Sequence, residues 1–507
     1  MSQEITFGYG STPANLCLDK LNRHGLIAGA TGTGKTVTLK VIAEQLSQAG
    51  VPVFLSDIKG DLASLAEANN SDNLQERLEA THYEDYDPSK FTLELWDILG
   101  QTGIPLRMTV SAMGPILLAR LLGLNDTQTG ILNVVFSVAD AEGLLLIDLL
   151  DLRAMINYVG QHAKDLSGHY GNISSASIGV ILRSLLVLEE QGAGNFFGEP
   201  SLEIEDFMRF DQDGRGMINV LMAEQLYRYP LMYATVLLAI LSDLFENLPE
   251  VGDLEKPKLV FFFDEAHVLF DGTPKVLLDQ IELTVRLIRS KGVGVFFITQ
   301  NPTDIPDQVA NQLGNRIQHG LRAYTPKELK NVAAAAQGFR QAADMDLEKV
   351  IQELQTGQAV VSTLQEDGTP SYAQAVMIYP PKSKVGLIDP QVKLSIMNQS
   401  SLLAKYQEAV NRESAHEQLA KVVAASEDNL KDVQTQAESK LDQANTSESN
   451  ARIKELEAEL AKQIKKNKTS SRRTDSEMDR FTKNMMSSVG RELGKMITRG
   501  ITGFFKK

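Results

Sequence analysis

Apolar positions along this chain fall into two rhythms. Short runs rich in Val, Ile, Leu and Phe recur at residues 25–28, 52–57, 92–96, 217–221, 259–264, 293–299, 317–323 and 359–363. Each has the length of a strand, and the run Leu259-Val-Phe-Phe-Phe-Asp264 is apolar until its last residue. Continuous apolar runs of this kind mark strands buried on both faces. Between most of them apolar residues recur three and four apart, the helical period. Strands alternating with helices predict an α/β fold around a mainly parallel sheet.

The helical rhythm takes over between about residues 103 and 210. Ile131, Val134, Val135 and Val138, then Leu149, Leu152, Ile156 and Val159, repeat at helical spacing. This predicts an inserted helical subdomain at 103–210, between two parts of the sheet domain at 1–102 and 211–390. Residues 400–467 carry no Gly or Pro, and Tyr406 is their one aromatic residue. A long helix or broken coiled coil is expected within a charged linker at 391–474. The run Asn-Lys-Thr-Ser-Ser-Arg-Arg-Thr-Asp-Ser at 467–476 reads as a hinge. Phe481, Met485, Val489, Leu493, Met496, Ile497, Ile501 and Phe504 can share one stripe of a C-terminal helix at 475–507. With Lys and Arg flanking it, that helix can pack on protein or lie on an anionic membrane surface.

Composition narrows the class. A chain of 507 residues is long enough for two to four domains at about 150 residues each. Its net charge of −15 argues against a broadly basic nucleic-acid surface. The last 47 residues run the other way, with 13 Lys and Arg against 4 Asp and Glu. The Leu-rich stretch at 115–150 is interrupted by Arg120, Asn125, Asp126, Asp140 and Asp148, so no membrane span is expected there. The first ten residues show no basic region followed by an apolar run, and a cytoplasmic setting is expected. Cys17 is the single cysteine, which excludes an internal disulfide and a cysteine-based metal site. Neither a His-x-x-x-His pairing nor a Gly-x-Ser-x-Gly elbow is present.

One motif carries explicit chemistry. Gly29, Ala30, Thr31, Gly32, Thr33, Gly34, Lys35 and Thr36 spell G-x-x-x-x-G-K-[ST]. An apolar strand precedes them and a helical pattern opens at Val37. Such a loop points backbone N–H groups at phosphate oxygens, and the helix N-terminus adds its dipole. Lys35 places a compact cation between the β- and γ-phosphates, and Thr36 offers a hydroxyl to Mg²⁺. Hydrolysis needs carboxylates as well. Asp264, at the end of an apolar strand, is placed to hold Mg²⁺ through water, and Glu265 to act as general base. Gln300 follows the next apolar run, placed to sense the γ-phosphate or orient water, or as an ordinary polar loop residue. Asp57 and Lys59 end another strand, as a nucleotide contact or as a structural ion pair.

The stretches NRHGLIAGATGTGKTVTL, VPVFLSDIKGDLASLA, GNISSASIGVILRSLL, KPKLVFFFDEAHVLF, IRSKGVGVFFITQNPTDIP and LGNRIQHGLRAYTPKEL resemble the HerA/FtsK branch of ring-forming P-loop motors, most of all the bacterial HerA-like group. The resemblance covers roughly residues 20–380. It implies a RecA-like core with an inserted helical subdomain and a C-terminal helical extension. It also implies a homo-hexamer with ATP and Mg²⁺ between neighbouring subunits, and double-stranded DNA as the substrate of translocation or unwinding. It places a trans-acting arginine at Arg289, with Arg316 as a second candidate and Arg322 nearby, each of which could instead make a salt bridge. His267 completes an Asp-Glu-Ala-His string, as a structural residue or as a link between the carboxylates and Gln300. About 24 residues precede the first core strand, so the N-terminal barrel of archaeal HerA proteins, and the nuclease partner it docks, are not expected from the resemblance. A nucleotide-driven assembly switch without DNA translocation is the alternative reading.

Overall fold

The computed structural model describes residues 3–71, 74–273, 275–342, 345–425 and 435. The expected C-terminal helix at 475–507 and most of the expected linker lie outside the described residues.

One sheet of twelve strands organises the larger part of the chain. In chain order the strands are β1 (Glu4–Tyr9), β2 (Pro13–Cys17), β3 (Gly25–Ala28), β4 (Val53–Asp57), β5 (Leu93–Asp97), β6 (Ile104–Pro105), β7 (Ile218–Met222), β8 (Leu259–Phe263), β9 (Val293–Thr299), β10 (Asn315–His319), β11 (Gln358–Ser362) and β12 (Gln374–Ile378). Their spatial order is β2-β1-β12-β11-β10-β3-β9-β8-β4-β7-β5-β6. From β10 to β6 every pairing is parallel, whereas β11, β12, β1 and β2 continue the sheet antiparallel. This is the RecA-like P-loop arrangement expected from the sequence.

The centre of the sheet is dry. Every residue of β3, β4, β7, β8 and β9 is buried. Phe54 stacks on Phe261 at 4.4 Å, Phe262 on Phe296 at 5.1 Å, and Phe263 on Phe297 at 5.2 Å. Offset aromatic pairs of this kind add about 1 kcal/mol each beyond area burial. The one buried amide in β7, Asn219, accepts from the Trp96 indole at 3.0 Å and donates to the Val53 and Phe207 carbonyls.

The described residues divide into two compact units, 3–124 with 186–410, and 125–185 with the described residues from 411 onward. The segment 103–210, expected as an insertion, contributes residues to both units. In the second unit, helices Asp126–Ala141 and Leu149–Gln161 each open with a capping box, from Asn125 with Gln128 and from Asp148 with Asp151. Asp151 is fully buried and accepts from Ile147 N, His416 N and Ser414 Oγ. That carboxylate fixes residues 414–416 to this unit.

The helix expected to run from residue 400 does not start there. Helices Pro390–Gln399 and Leu403–Tyr406 are short, and helix resumes at 415–425. Tyr406 breaks the run because it is buried in the first unit, its ring 5.5 Å from Trp96 and its hydroxyl accepting from Glu203 N. Among the described residues no single helix is long and apolar enough to cross a membrane, although Ala163–Tyr170 and Ser175–Glu190, bent by 101°, pass that test together.

Candidate phosphate and carboxylate site

The site lies at the carboxyl ends of β3, β8 and β9, which are neighbours in the parallel part of the sheet. Ligands of open α/β sheets bind at this edge. The loop after β3 is tied on both sides. Gly29 N donates to Thr299 O at the end of β9, and Ala30 N to Gly320 O just beyond β10. Two glycines are required by space as well as by φ. A Cβ on Gly29 (φ 151°) would meet the His319 Cβ at 2.5 Å, and one on Gly34 (φ 116°) would meet Gly357 at 3.1 Å. Gly34 caps helix α1 (Lys35–Gln48). Thr31, Gly32, Gly34, Lys35, Thr36 and Val37 face a cavity of about 270 Å³ that Asp264 and Lys59 also line.

Lys35 Nζ donates to the carbonyls of Gly29 at 2.6 Å and Ala30 at 3.1 Å. Burial lowers its pKa, and the charges of Glu265 and Asp264 oppose that shift. Asp264 follows β8. Burial pushes its carboxyl up to about 7, reinforced by the adjacent Glu265. Its Oδ1 accepts from Glu265 N at 2.9 Å. Glu265 adopts φ 48°, a left-handed backbone uncommon for a non-glycine residue. Such conformations concentrate at functional sites. Its carboxylate is nearly buried and has three neighbours. Lys59 Nζ lies 4.0 Å from Oε1, while Gln300 Nε2 and His267 Nδ1 each lie 3.4 Å from Oε2. The His267 contact lacks hydrogen-bond alignment.

Lys35, Thr36, Asp264, Glu265 and Gln300 are thus brought to one edge. Thr36 and Asp264 present a hydroxyl and a carboxylate to the same cavity, a hard-oxygen donor set that suits Mg²⁺.

Other expected residues take different roles. Asp57 makes neither an ion pair nor a surface for nucleotide. Its buried carboxylate accepts from the N–H groups of Gly60, Asp61, Leu62 and Ala63, folding the loop that presents Lys59. Arg289 sits in the turn Arg289–Lys291 before β9, at the opposite end of the strand from Gln300. Arg316 is at the amino end of β10, and its guanidinium donates to Ala310 O at 3.0 Å and Leu313 O at 3.3 Å. Its guanidinium is thus engaged within its own chain, at the end of the short helix Asp307–Ala310. Arg322 likewise donates to the carbonyls of Gln352 and Leu354.

Sequence reasoning missed the residues that brace the site. His319 is fully buried beneath the loop, with Nε2 2.9 Å from Thr38 Oγ1 and Nδ1 2.9 Å from Gln358 O. Tyr233, also fully buried, donates to Asp264 O at 2.9 Å and lies 2.7 Å from Ser56 Oγ. His319, at the end of β10, reaches the first turn of α1, and Tyr233, on helix Pro230–Asn247, reaches the ends of β4 and β8, so tertiary packing places them both.

Among solved structures, plasmid coupling protein TrwB bound to an ATP analogue is 14% identical, with 76% of this chain and 92% of that chain covered at a TM-score of 0.47. VirB4 of Thermoanaerobacter pseudethanolicus is 14% identical, with 74% and 96% covered at 0.47. No curated protein matches. The sequence profile of the family described as Helicase HerA-like C-terminal matches residues 3–507. The chain therefore belongs to the HerA-like helicase C-terminal family.

Proposed function

We propose that this protein is an ATP-hydrolysing ring motor of the HerA/FtsK type that translocates or unwinds double-stranded DNA as a homo-hexamer. The observation that carries the ATPase reading is the convergence of Lys35, Thr36, Asp264, Glu265 and Gln300 on three adjacent strand ends. The loop of Gly29–Thr36, with Val37 behind it, binds the triphosphate, and Lys35 holds the β- and γ-oxygens. Thr36 and Asp264 hold Mg²⁺. When bound, the metal neutralises charge that develops on the transferred phosphoryl group. Glu265 orients the attacking water and accepts its proton, while Gln300 fixes the Glu265 carboxylate. Arg289, remote from the cradle of its own subunit, serves the cradle of the next one. Membership of the HerA-like family supports the motor reading.

The test is ATP hydrolysis with and without duplex DNA across a salt series. The motor reading expects Mg²⁺-dependent turnover, stimulated by DNA and weakened steeply by salt, because phosphate contacts release counterions. Turnover indifferent to DNA and salt would replace the motor with an ATP-dependent assembly switch.

A further inference from the structure

The helix that begins with the phosphate loop carries two buried charges that the hydrolytic scheme does not use. Thr36, Lys40 and Glu44 stand at i, i+4 and i+8, and so share one face of α1. Thr36 faces the cavity. Lys40 is 1% exposed and Glu44 2% exposed. Both hold one segment that arrives after β12. Lys40 Nζ donates to Lys384 O at 2.5 Å and to Ser64 Oγ at 2.7 Å. Glu44 accepts from Lys382 N at 2.8 Å and from Ser383 N at 3.0 Å, and it also bonds the Ser383 hydroxyl. Two further side chains fasten the same segment. Asn69 donates to Pro381 O at 2.9 Å, and Glu67 pairs with Lys384 Nζ at 2.9 Å and accepts from Asp389 N at 2.7 Å.

Burying an ion costs several kcal/mol unless hydrogen bonds offset it. Burial lowers the Lys40 pKa to about 8 and raises that of Glu44. A surface segment needing only attachment could be held by apolar packing without that cost. Two polar clamps on one helix face provide register. They fix residues 382–384 relative to Thr36, and with them the position of Val385 and Gly386. These two residues line the same cavity as Thr31–Val37. Val385 is 52% exposed, and Gly386 (φ 110°) has open space where a Cβ would project. The cavity is therefore lined both by the loop of Thr31–Val37 and by one aliphatic side chain and open backbone from residues 385–386. Leu39 and Leu62 add apolar surface to the lining.

We propose that residues 382–386 form a clamped strap whose Val385–Gly386 corner is the wall for the base and ribose of the nucleoside triphosphate. This rests on the reading that Gly29–Thr36 holds the triphosphate. The wall is apolar and adjoins a cation-bearing loop, which matches a ligand with a flat heterocycle at one end and phosphates at the other.

Calorimetric titration of the full chain with a non-hydrolysable ATP analogue and with tripolyphosphate, which has phosphates but no base, each with Mg²⁺, separates the two parts of the cavity lining. Wild type is expected to bind the analogue at least tenfold more tightly than tripolyphosphate. Val385→Ala, a change at a half-exposed position, is expected to weaken binding of the analogue about threefold and to leave tripolyphosphate within twofold. Equal wild-type affinities for the two ligands, or an analogue affinity that Val385→Ala does not change, would overturn the strap while leaving the phosphate cradle intact. Binding of neither ligand by wild type would overturn the cradle reading, and the strap with it.

Discussion

The two ends of the parallel sheet are built from the same strands and do different work. At the carboxyl end, β3, β8 and β9 release Lys35, Asp264, Glu265 and Gln300 into one place. At the amino end, the same sheet carries Arg289 before β9 and Arg316 on β10. Each end also buries a histidine. His319 braces the phosphate loop, while His24 bridges Val285 O and Val295 N at the other end. The proposed phosphate-binding and metal-binding groups lie at the carboxyl end, and the proposed trans-acting arginine at the amino end. A strand of seven residues separates Arg289 from the site edge, roughly 23 Å at the usual rise. Within one chain the proposed cradle and the proposed arginine therefore sit at opposite ends of β9.

The largest expected effects come from the carboxyl end. Lys35→Ala should remove nucleotide binding and turnover together. Glu265→Gln should keep Mg-ATP binding and cut turnover by about three orders of magnitude, since it removes the proton acceptor. Equilibrium binding beside steady-state hydrolysis separates the two. Wild-type hydrolysis by Glu265→Gln would take that residue out of the chemistry.

Next in size is the arginine contrast. Arg289→Ala should reduce turnover by roughly 10³-fold with ATP affinity unchanged, in the range of arginine fingers. Arg316→Ala should behave oppositely. It should lower the thermal midpoint by an amount corresponding to about 1–3 kcal/mol, because the carbonyls of Ala310 and Leu313 lose a charged donor. Turnover per folded molecule should stay at the wild-type level. Reversed behaviour of the two variants would exchange their assignments.

The smaller effect is on pH stability. Burial lowers the pKa of His24 to about 4, with the bond to Val285 opposing the shift and Arg289 adding to it. Burial lowers that of His319 to about 4 as well, with the Gln358 carbonyl opposing and Lys35 adding. Both are neutral when folded, whereas an unfolded histidine titrates near 6.5. Between pH 6.5 and 4 the unfolded chain therefore binds more protons. Stability from these two sites is full above pH 6.5 and falls as pH drops toward 4, by on the order of a few kcal/mol. Thermal melts across that window should show the fall, and His24→Asn combined with His319→Gln should flatten it. An unchanged slope in the double variant would assign the acid sensitivity elsewhere.

Much of this contrast could be read from the sequence, and its reasons are local. The G-x-x-x-x-G-K-T loop, the apolar strand ending in Asp264-Glu265, and the strand before Gln300 each state their role within ten residues. The eight apolar runs all became strands. The missed strands β1, β2, β6 and β12 are short or carry polar residues, as in Glu4–Tyr9 and Gln374–Ile378, because they lie toward the sheet margins. Asp57 could be placed near the site edge, but its four backbone partners come from a loop conformation that no spacing rule encodes. His319, Tyr233, Lys40 and Glu44 were illegible for the same reason. Their partners are from 21 to 344 residues distant in sequence, and only the packing of helices and loops on the sheet joins them.

The proposed function requires each cradle to work with an arginine from another copy. Mixing two inactive variants tests it directly. Lys35→Ala subunits supply Arg289 without a working cradle, and Arg289→Ala subunits supply a cradle without the arginine. Allowed to reassemble together with Mg-ATP, the mixture should recover hydrolysis that neither variant shows alone, rising and falling with their ratio. A mixture no more active than its components would contradict the shared site.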